Sequence, residues 1–206
     1  MTKIIAADAR VLKPKQIEAS LEIINSGGLI IVPTDTGYAL LCRLGDKHAA
    51  SRIRLLRELD KQHPFTLLCH NLSQLSLYAR VDNVQFRLLK AMFPGPFTCI
   101  LPASRDVPRL VQHEKRKTIG IRVPDMALTN ALITAHNAPL MGISLFDNQE
   151  QNCAPSDLDP QIKNAVDLIL DCGEIPLLPS TICDFTIMPP VVIRQGLGDL
   201  SAFIGV

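Results

Sequence analysis

Tryptophan is absent from this chain, and aromatic residues make up only 4% of it. So sparse a set of rings cannot build the broad stacking platform on which single-stranded nucleic acids are laid out. Net charge is nearly absent as well, at +1. No global field draws such a chain to nucleic acid or to a membrane surface, so any basic footprint must be a local patch. No apolar run approaches the length of a membrane span. The first ten residues, from Met1 to Arg10, lack the apolar core and cleavage site of a secretory signal. The six cysteines (Cys42, Cys69, Cys99, Cys153, Cys172 and Cys183) show neither a Cys-x-x-Cys pair nor metal-ligand spacing. Most sit among apolar neighbours, which points to buried free thiols and a cytoplasmic protein. Internal repeats and low-complexity segments are also absent.

What is present is apolar residues, at 47% of 206 positions, ample for a core at this length. The length suggests one large domain or one domain with appendages. One stretch organises the chain, running from Gly27 to Leu40. A glycine pair, able to end a helix, precedes the apolar run Leu29-Ile30-Ile31-Val32. A run of that length and branching suits a strand buried on both faces. The polar loop Pro33-Thr34-Asp35-Thr36-Gly37-Tyr38 follows. Hydroxyls and a carboxylate at the end of a buried strand are where α/β proteins place ligand chemistry. The same residues also suit a turn whose hydroxyls cap their own backbone.

Apolar spacing predicts helices over 15–26, 47–58, 72–79, 83–92, 126–136 and 157–165. Asp46 is suited to cap the second. On it Ile53 and Leu56 point inward, and Arg52, Arg54 and Arg57 outward. Strands are expected at 40–44, 65–69, 97–101, 118–124, 139–144, 166–171, 181–185 and 191–194. Strands and helices mix without a strict β-α-β rhythm. That favours an α/β fold with a twisted sheet of parallel and antiparallel strands and flanking helices.

Basic and hydroxyl residues recur at the strand ends. Thr34 and Thr36 close the first strand, Lys115-Arg116-Lys117-Thr118 opens another with Arg122 inside it, and Ser180-Thr181 opens a third. Arg194 ends the last, before Gly196. Anionic ligands need such donors: arginine forks for carboxylate or phosphate, lysine for diffuse charge, hydroxyls for orientation. An arginine flanked by Ile121 and Val123 is costly to bury without an anion beside it. The alternatives for Arg122 are an exposed face or an internal ion pair.

These segments, in this order, resemble the YrdC/YciO family across nearly the whole chain. The opening loop resembles its Pro-Thr-[Glu/Asp]-Thr-x-Tyr signature. Lys117 to Pro124 is similar to its [Thr/Ser]-x-[Gly/Ala]-x-Arg-x-Pro strand, and Phe93 to Thr98 to its Pro-Gly-Pro-x-Thr turn. Pro179 to Asp184 is similar to its Pro-Ser-Thr strand, and Arg194-Gln195-Gly196 to its Arg-x-Gly ending.

The resemblance implies a single YrdC-like domain over 1–206, a YrdC/RibB-like α/β fold and a concave basic face. It also implies a reaction: L-threonine, bicarbonate and ATP give threonylcarbamoyl-AMP and pyrophosphate, feeding threonylcarbamoyl modification of a tRNA adenosine. Thr34, Thr66, Arg122 and Ser180 would hold threonine. Arg57, Lys61, Thr118, Ser144 and Arg194 would line the ATP side, with Mg2+ carried on the nucleotide. No residue stands out as a dedicated nucleophile, and no protein metal site is expected.

Two departures match the YciO branch. Synthases carry Lys-x-Arg where this chain has Arg57-Glu58-Leu59, and Ser-x-Asn where it has Ser144-Leu145-Phe146. Two lost donors, each worth about 1.5–3 kcal/mol when charge-assisted, would weaken or alter synthase activity. The alternative is a protein that binds double-stranded RNA or tRNA through Arg105, Arg109, Lys115, Arg116 and Lys117, aided by the arginines of 52–57. A third option is metabolite binding without turnover. The polar run from Asp147 to Pro155 is a candidate lid.

Overall fold

A computed structural model describes residues 2–60, 63–145, 152–176 and 178–201. Strands β1 (Lys3–Ala6), β2 (Ile30–Thr34), β3 (Gly37–Arg43), β4 (Thr66–Leu68), β5 (Phe97–Pro102), β6 (Thr118–Arg122) and β7 (Leu140–Ser144) form one sheet with three later strands. A short β8 (Asn152–Cys153) precedes β9 (Leu168–Asp171) and pairs with β10 (Ile175–Pro176) in a separate ribbon. The chain ends in β11 (Thr181–Asp184) and β12 (Val191–Arg194). The ten-stranded sheet has the order β1-β9-β2-β3-β7-β4-β6-β5-β11-β12. Its β1–β9, β9–β2, β4–β6 and β5–β11 pairs are parallel and the others antiparallel. This is the mixed α/β sheet expected from the sequence.

Among the described residues six helices flank it: α1 (Pro14–Asn25), α2 (Lys47–Leu56), α3 (Leu72–Tyr78), α4 (Asn83–Met92), α5 (Ala127–His136) and α6 (Pro160–Ala165). Asp46 caps α2 as expected, accepting from the Ala49 amide. Asp82 caps α4, and Gln85 completes the box by accepting from the Asp82 amide. The helix expected at 157–165 is divided. A single 3-10 turn (Pro155–Asp157) and α6 are separated where Asp159 caps the Gln161 amide. Strand β1 was not anticipated. It is a four-residue edge strand with only Ile5 partly shielded, so it carries almost no periodic signal.

Two apolar layers explain the shape. On one face of the sheet, Ala49, Ala50 and Ile53 of α2, Leu75 of α3, and Leu89 and Met92 of α4 pack against Ile31, Leu67, Cys99, Ile121 and Cys183. On the other, Ile24 of α1 and Leu128, Leu132 and Ile133 of α5 cover Ile30, Val32, Leu41, Leu140 and Leu168. The second layer covers β2, β3, β7 and β9. It stops at Leu68 and leaves β6, β5 and β11 bare on that side. Strand β2 is therefore buried on both faces, as its unbroken apolar run requires. Cys42, Cys69, Cys99 and Cys183 are buried free thiols, and Cys172 is a half-buried one. Burial pushes the Cys42 thiol up to about 12, so it is inert at neutral pH.

Gly142 marks how tightly β3 and β7 meet. A Cβ there would lie 2.0 Å from the Leu40 carbonyl oxygen, a backbone atom with no freedom to retreat. Gly142→Ala is expected to cost roughly 1–3 kcal/mol, as other overpacked sites do, and to lower Tm by several degrees in thermal unfolding. An unchanged Tm would mean the two strands separate freely.

Candidate functional site

The bare half-face of the sheet is the floor of a cavity of about 850 Å³. Period-two alternation builds it. On β6, Thr118, Gly120 and Arg122 face the cavity while Ile119 and Ile121 enter the core. Thr66 and Leu68 of β4, Thr98 and Ile100 of β5, and Ile182 of β11 do the same beside buried Leu67, Cys99 and Cys183. Register places Gly142, Thr66, Gly120 and Ile100 in one row across four strands. A Cβ on Gly120 would meet the Thr66 hydroxyl at 3.4 Å, so small residues hold the floor low between taller walls.

Arg122 is the most constrained charge in the cavity wall. Its side chain is 5% exposed and its Nη2 donates to Asp35 Oδ1 at 2.6 Å. The other Asp35 oxygen accepts from the Asp125 amide at 3.1 Å. One carboxylate thus ties the β2–β3 turn to the end of β6. Burial pushes the guanidinium pKa down and the Asp35 charge opposes that shift. Arg122 Nε is shielded from solvent and has no acceptor among the described residues. The internal ion pair and the anion-facing arginine are therefore the same side chain.

Ser180, just before β11, and Arg194 of β12 line the cavity. The Ser180 and Thr98 hydroxyls lie 2.8 Å apart. Arg194 donates to the Ser180 carbonyl through Nη2 at 2.9 Å and Nε at 3.2 Å. Gly196 passes close under that segment, where a Cβ would stand 2.2 Å from the Pro179 carbonyl oxygen. This close approach fixes Arg194 beside Ser180. Burial lowers the Arg194 pKa as well.

Of the residues singled out from sequence, Thr66, Arg122, Ser180, Arg57, Thr118, Ser144 and Arg194 all line this cavity, with Lys115 and Arg116 at its rim. Thr34 does not line it. Its hydroxyl is used inside the turn, donating to the Gly37 carbonyl at 2.6 Å and accepting from the Thr36 amide. Thr36, two residues on, lines the cavity instead. Arg109 stands in a smaller neighbouring cavity, and Arg105 and Lys117 line neither. Lys61, Phe146 and the segment from Asp147 to Gln151 lie outside the described residues. The α2 arginines, expected to point outward, are half-buried and engaged: Arg52 pairs with Asp167 at 3.0 Å, Arg54 lies over Phe65, and Arg57 enters the cavity.

Thr98 and His113 also line the cavity, and sequence reasoning did not assign them to it; Leu59 lines it at the position where the resemblance puts a synthase arginine. Leu59 gets there because Glu58 takes a left-handed φ of 49° and the Leu59 amide bonds the Arg54 carbonyl. That is a helix-ending turn normally signalled by glycine, so a glutamate hid it. Thr98 was readable from its alternation with Cys99.

The sequence model of the Sua5/YciO/YrdC family, described as "Telomere recombination", matches residues 22–196. The chain belongs to this family. It is 43% identical to the protein YciO of Escherichia coli K12 over 190 residues, spanning 91% of this chain and 92% of YciO. The crystal structure of E. coli YciO superposes with a TM-score of 0.92 over 98% of this chain and 100% of that one, at 40% identity. More distantly, it is 28% identical over 211 residues to the threonylcarbamoyl-AMP synthase of Pyrococcus abyssi, covering 100% of this chain and 62% of the synthase. The structure of P. abyssi Sua5 complexed with L-threonine aligns with a TM-score of 0.83 and 27% identity, covering 95% of this chain and 58% of Sua5.

In this family member the Asp35–Arg122 pair is testable directly. Asp35→Asn leaves a buried guanidinium without its countercharge and is expected to cost roughly 3–5 kcal/mol in urea unfolding. Adding Arg122→Met, which removes the stranded charge, is expected to restore much of that loss. A double variant no more stable than Asp35→Asn would show that the charge is not the cause.

Proposed function

We propose that the cavity binds L-threonine and ATP, and that the chain is a threonylcarbamoyl-AMP synthase-type nucleotidyltransferase of weak or altered activity linked to tRNA threonylcarbamoyladenosine modification. The observation that carries the reading is Arg122, a buried guanidinium with a shielded Nε on the cavity wall. A ligand carboxylate is the acceptor its fork suits. Thr66 and Ser180 stand on the same floor and offer hydroxyls for the threonine. The threonine-bound Sua5 relative supports this choice of ligand.

The chemistry asks for positioning more than for a base. The threonine amino nitrogen bonds to the bicarbonate carbon, the C–OH bond breaks, and the hydroxide leaves with a nitrogen proton as water to give the carbamate. A carbamate oxygen attacks the α-phosphorus of ATP, the bond to the bridging oxygen breaks, and pyrophosphate leaves with that electron pair. Arg57, Thr118, Ser144 and Arg194, with Lys61 from the sequence, would neutralise and orient the nucleotide. Among the described residues no group of three His, Cys, Asp or Glu side chains could hold a metal ion. As the resemblance implies, magnesium would arrive on the nucleotide, where it shares the phosphate charge. Leu59 lines the cavity where the synthase motif has an arginine, which is why the activity is proposed as weak or altered. Free buried thiols agree with a cytoplasmic setting. No described helix is long and apolar enough to cross a membrane.

One feature favours a second reading. Arg105, Arg109, Lys115, Arg116 and Lys117 are all exposed on one connection between β5 and β6. Such a strip suits the phosphates of double-stranded RNA or tRNA. Affinity independent of salt would contradict it.

The deciding assay supplies threonine, bicarbonate, magnesium and ATP, and follows pyrophosphate and threonylcarbamoyl-AMP. A parallel reaction starts from preformed adenylate. Turnover is expected, with Arg122→Ala and Ser180→Ala each lowering kcat/KM by roughly tenfold to a hundredfold, the worth of one charge-assisted contact. No reaction in either direction would overturn the enzyme reading.

A further inference from the structure

Beside the main cavity lies a smaller one of about 160 Å³ that nothing above assigns. Its wall is Arg54, His63, Pro64, Arg109, Gln112 and Glu114, with Leu110 and Val111 beneath. His63, Pro64 and Glu114 also line the main cavity, so the two spaces share a wall. Two arginines from separate segments converge here, one from α2 and one from the β5–β6 connection.

Both are held in place. The Arg54 guanidinium lies 4.6 Å over the ring of Phe65, which is 1% exposed and immovable in the core. Stacking fixes the plane of the fork and leaves its edge free for in-plane acceptors. Arg54 Nε is shielded from solvent and has no acceptor among the described residues. Arg109 sits between Val107 and Val111, which are 3% and 1% exposed and pin the loop. The Val111 amide closes that turn on the Pro108 carbonyl, and Gln112 Nε2 donates to the Val107 carbonyl at 2.7 Å.

Neither charge has a carboxylate countercharge among the described residues. Arg43, Arg52, Arg116 and Arg122 each pair with an aspartate. Among the described residues Arg54 and Arg109 pair with none. His63 lines the same wall with a pKa lowered by burial and by the Arg54 charge. Glu114, exposed at the rim, is the one acid in the wall.

We infer that Arg54 and Arg109 form a phosphoryl-anion subsite opening onto the main cavity. It takes either the distal phosphates of a nucleotide lying in that cavity or a separate phosphate or pyrophosphate. The first source rests on the nucleotide reading above, and the second does not. A tetrahedral dianion presents oxygens to both forks at once, and the shielded Nε gains the acceptor it lacks.

Calorimetric titration of the full chain with pyrophosphate, AMP and ATP tests this without any turnover. Arg109→Gln, at an exposed position, and Arg54→Gln are each expected to weaken pyrophosphate binding by about tenfold or more, while AMP changes less than twofold. Arg54→Lys, which keeps the charge and loses the fork, is expected to fall between. A parallel loss for ATP identifies the nucleotide's distal phosphates as the occupant. Loss for pyrophosphate with ATP unchanged identifies a separate anion. Unchanged pyrophosphate affinity in Arg109→Gln overturns the subsite, as does an equal loss for AMP. So does weakened binding of double-stranded RNA with pyrophosphate unaffected. Thermal unfolding of each variant separates a lost contact from a lost fold. Pyrophosphate binding without adenylate synthesis would sink the synthase reading and leave this subsite standing.

Discussion

The controlling constraint is coverage. A ten-stranded sheet has two faces to hide, and the helices hide one face and half of the other. The bare half faces the cavity, and its side chains are accordingly mostly small or polar. Threonine, serine, glycine and arginine stand there at alternate positions on β4, β5, β6 and β7, among a few apolar neighbours such as Leu68, Ile100 and Ile182, with the core residues on their opposite sides. Had α1 and α5 been joined by a third helix on that face, there would be no cavity. Site and fold are therefore one solution to one burial problem.

Within that cavity the Asp35–Arg122 pair does two things at once. It fastens the β2–β3 turn to the far end of β6 across 87 residues of sequence, and it sets the plane of the guanidinium. A buried pair of this kind is weak evidence of stability for its own sake, because desolvating two charges offsets much of their attraction. Its value lies in orientation: one edge of the fork is occupied by Asp35, and Nε remains for something else. Arg194 follows the same logic with a softer partner, the Ser180 carbonyl.

The positive residues divide by how they are held. Arg122, Arg194 and Arg54 are positioned by a carboxylate, a carbonyl and a ring, respectively. Arg105, Lys115 and Lys117 are exposed on a connection and are ordinary solvated charges until a partner arrives. Held charges discriminate by geometry, and solvated ones act mainly on long-range attraction.

Much of this was legible in the residues themselves. The run Leu29–Val32 specified a strand buried on both faces, Asp46 specified the start of α2, and the alternation Thr118-Ile119-Gly120-Ile121-Arg122 specified a strand with one polar face. These are local rules of period and capping, and they survive folding because each is satisfied within a few residues. Thr34 was expected at the ligand and its hydroxyl serves its own turn, two uses that sequence does not rank. Arg54 was read as outward because helical spacing counts faces and cannot see Phe65 arriving from another strand. Leu59 entered the cavity on a left-handed glutamate that no pattern announces. Sequence alone determined most of the elements, the mixed sheet and the family signature. Tertiary structure decided which polar face stays bare, which arginines are held, and that Arg54 and Arg109 line one small cavity, since each depends on contacts between segments far apart in the chain.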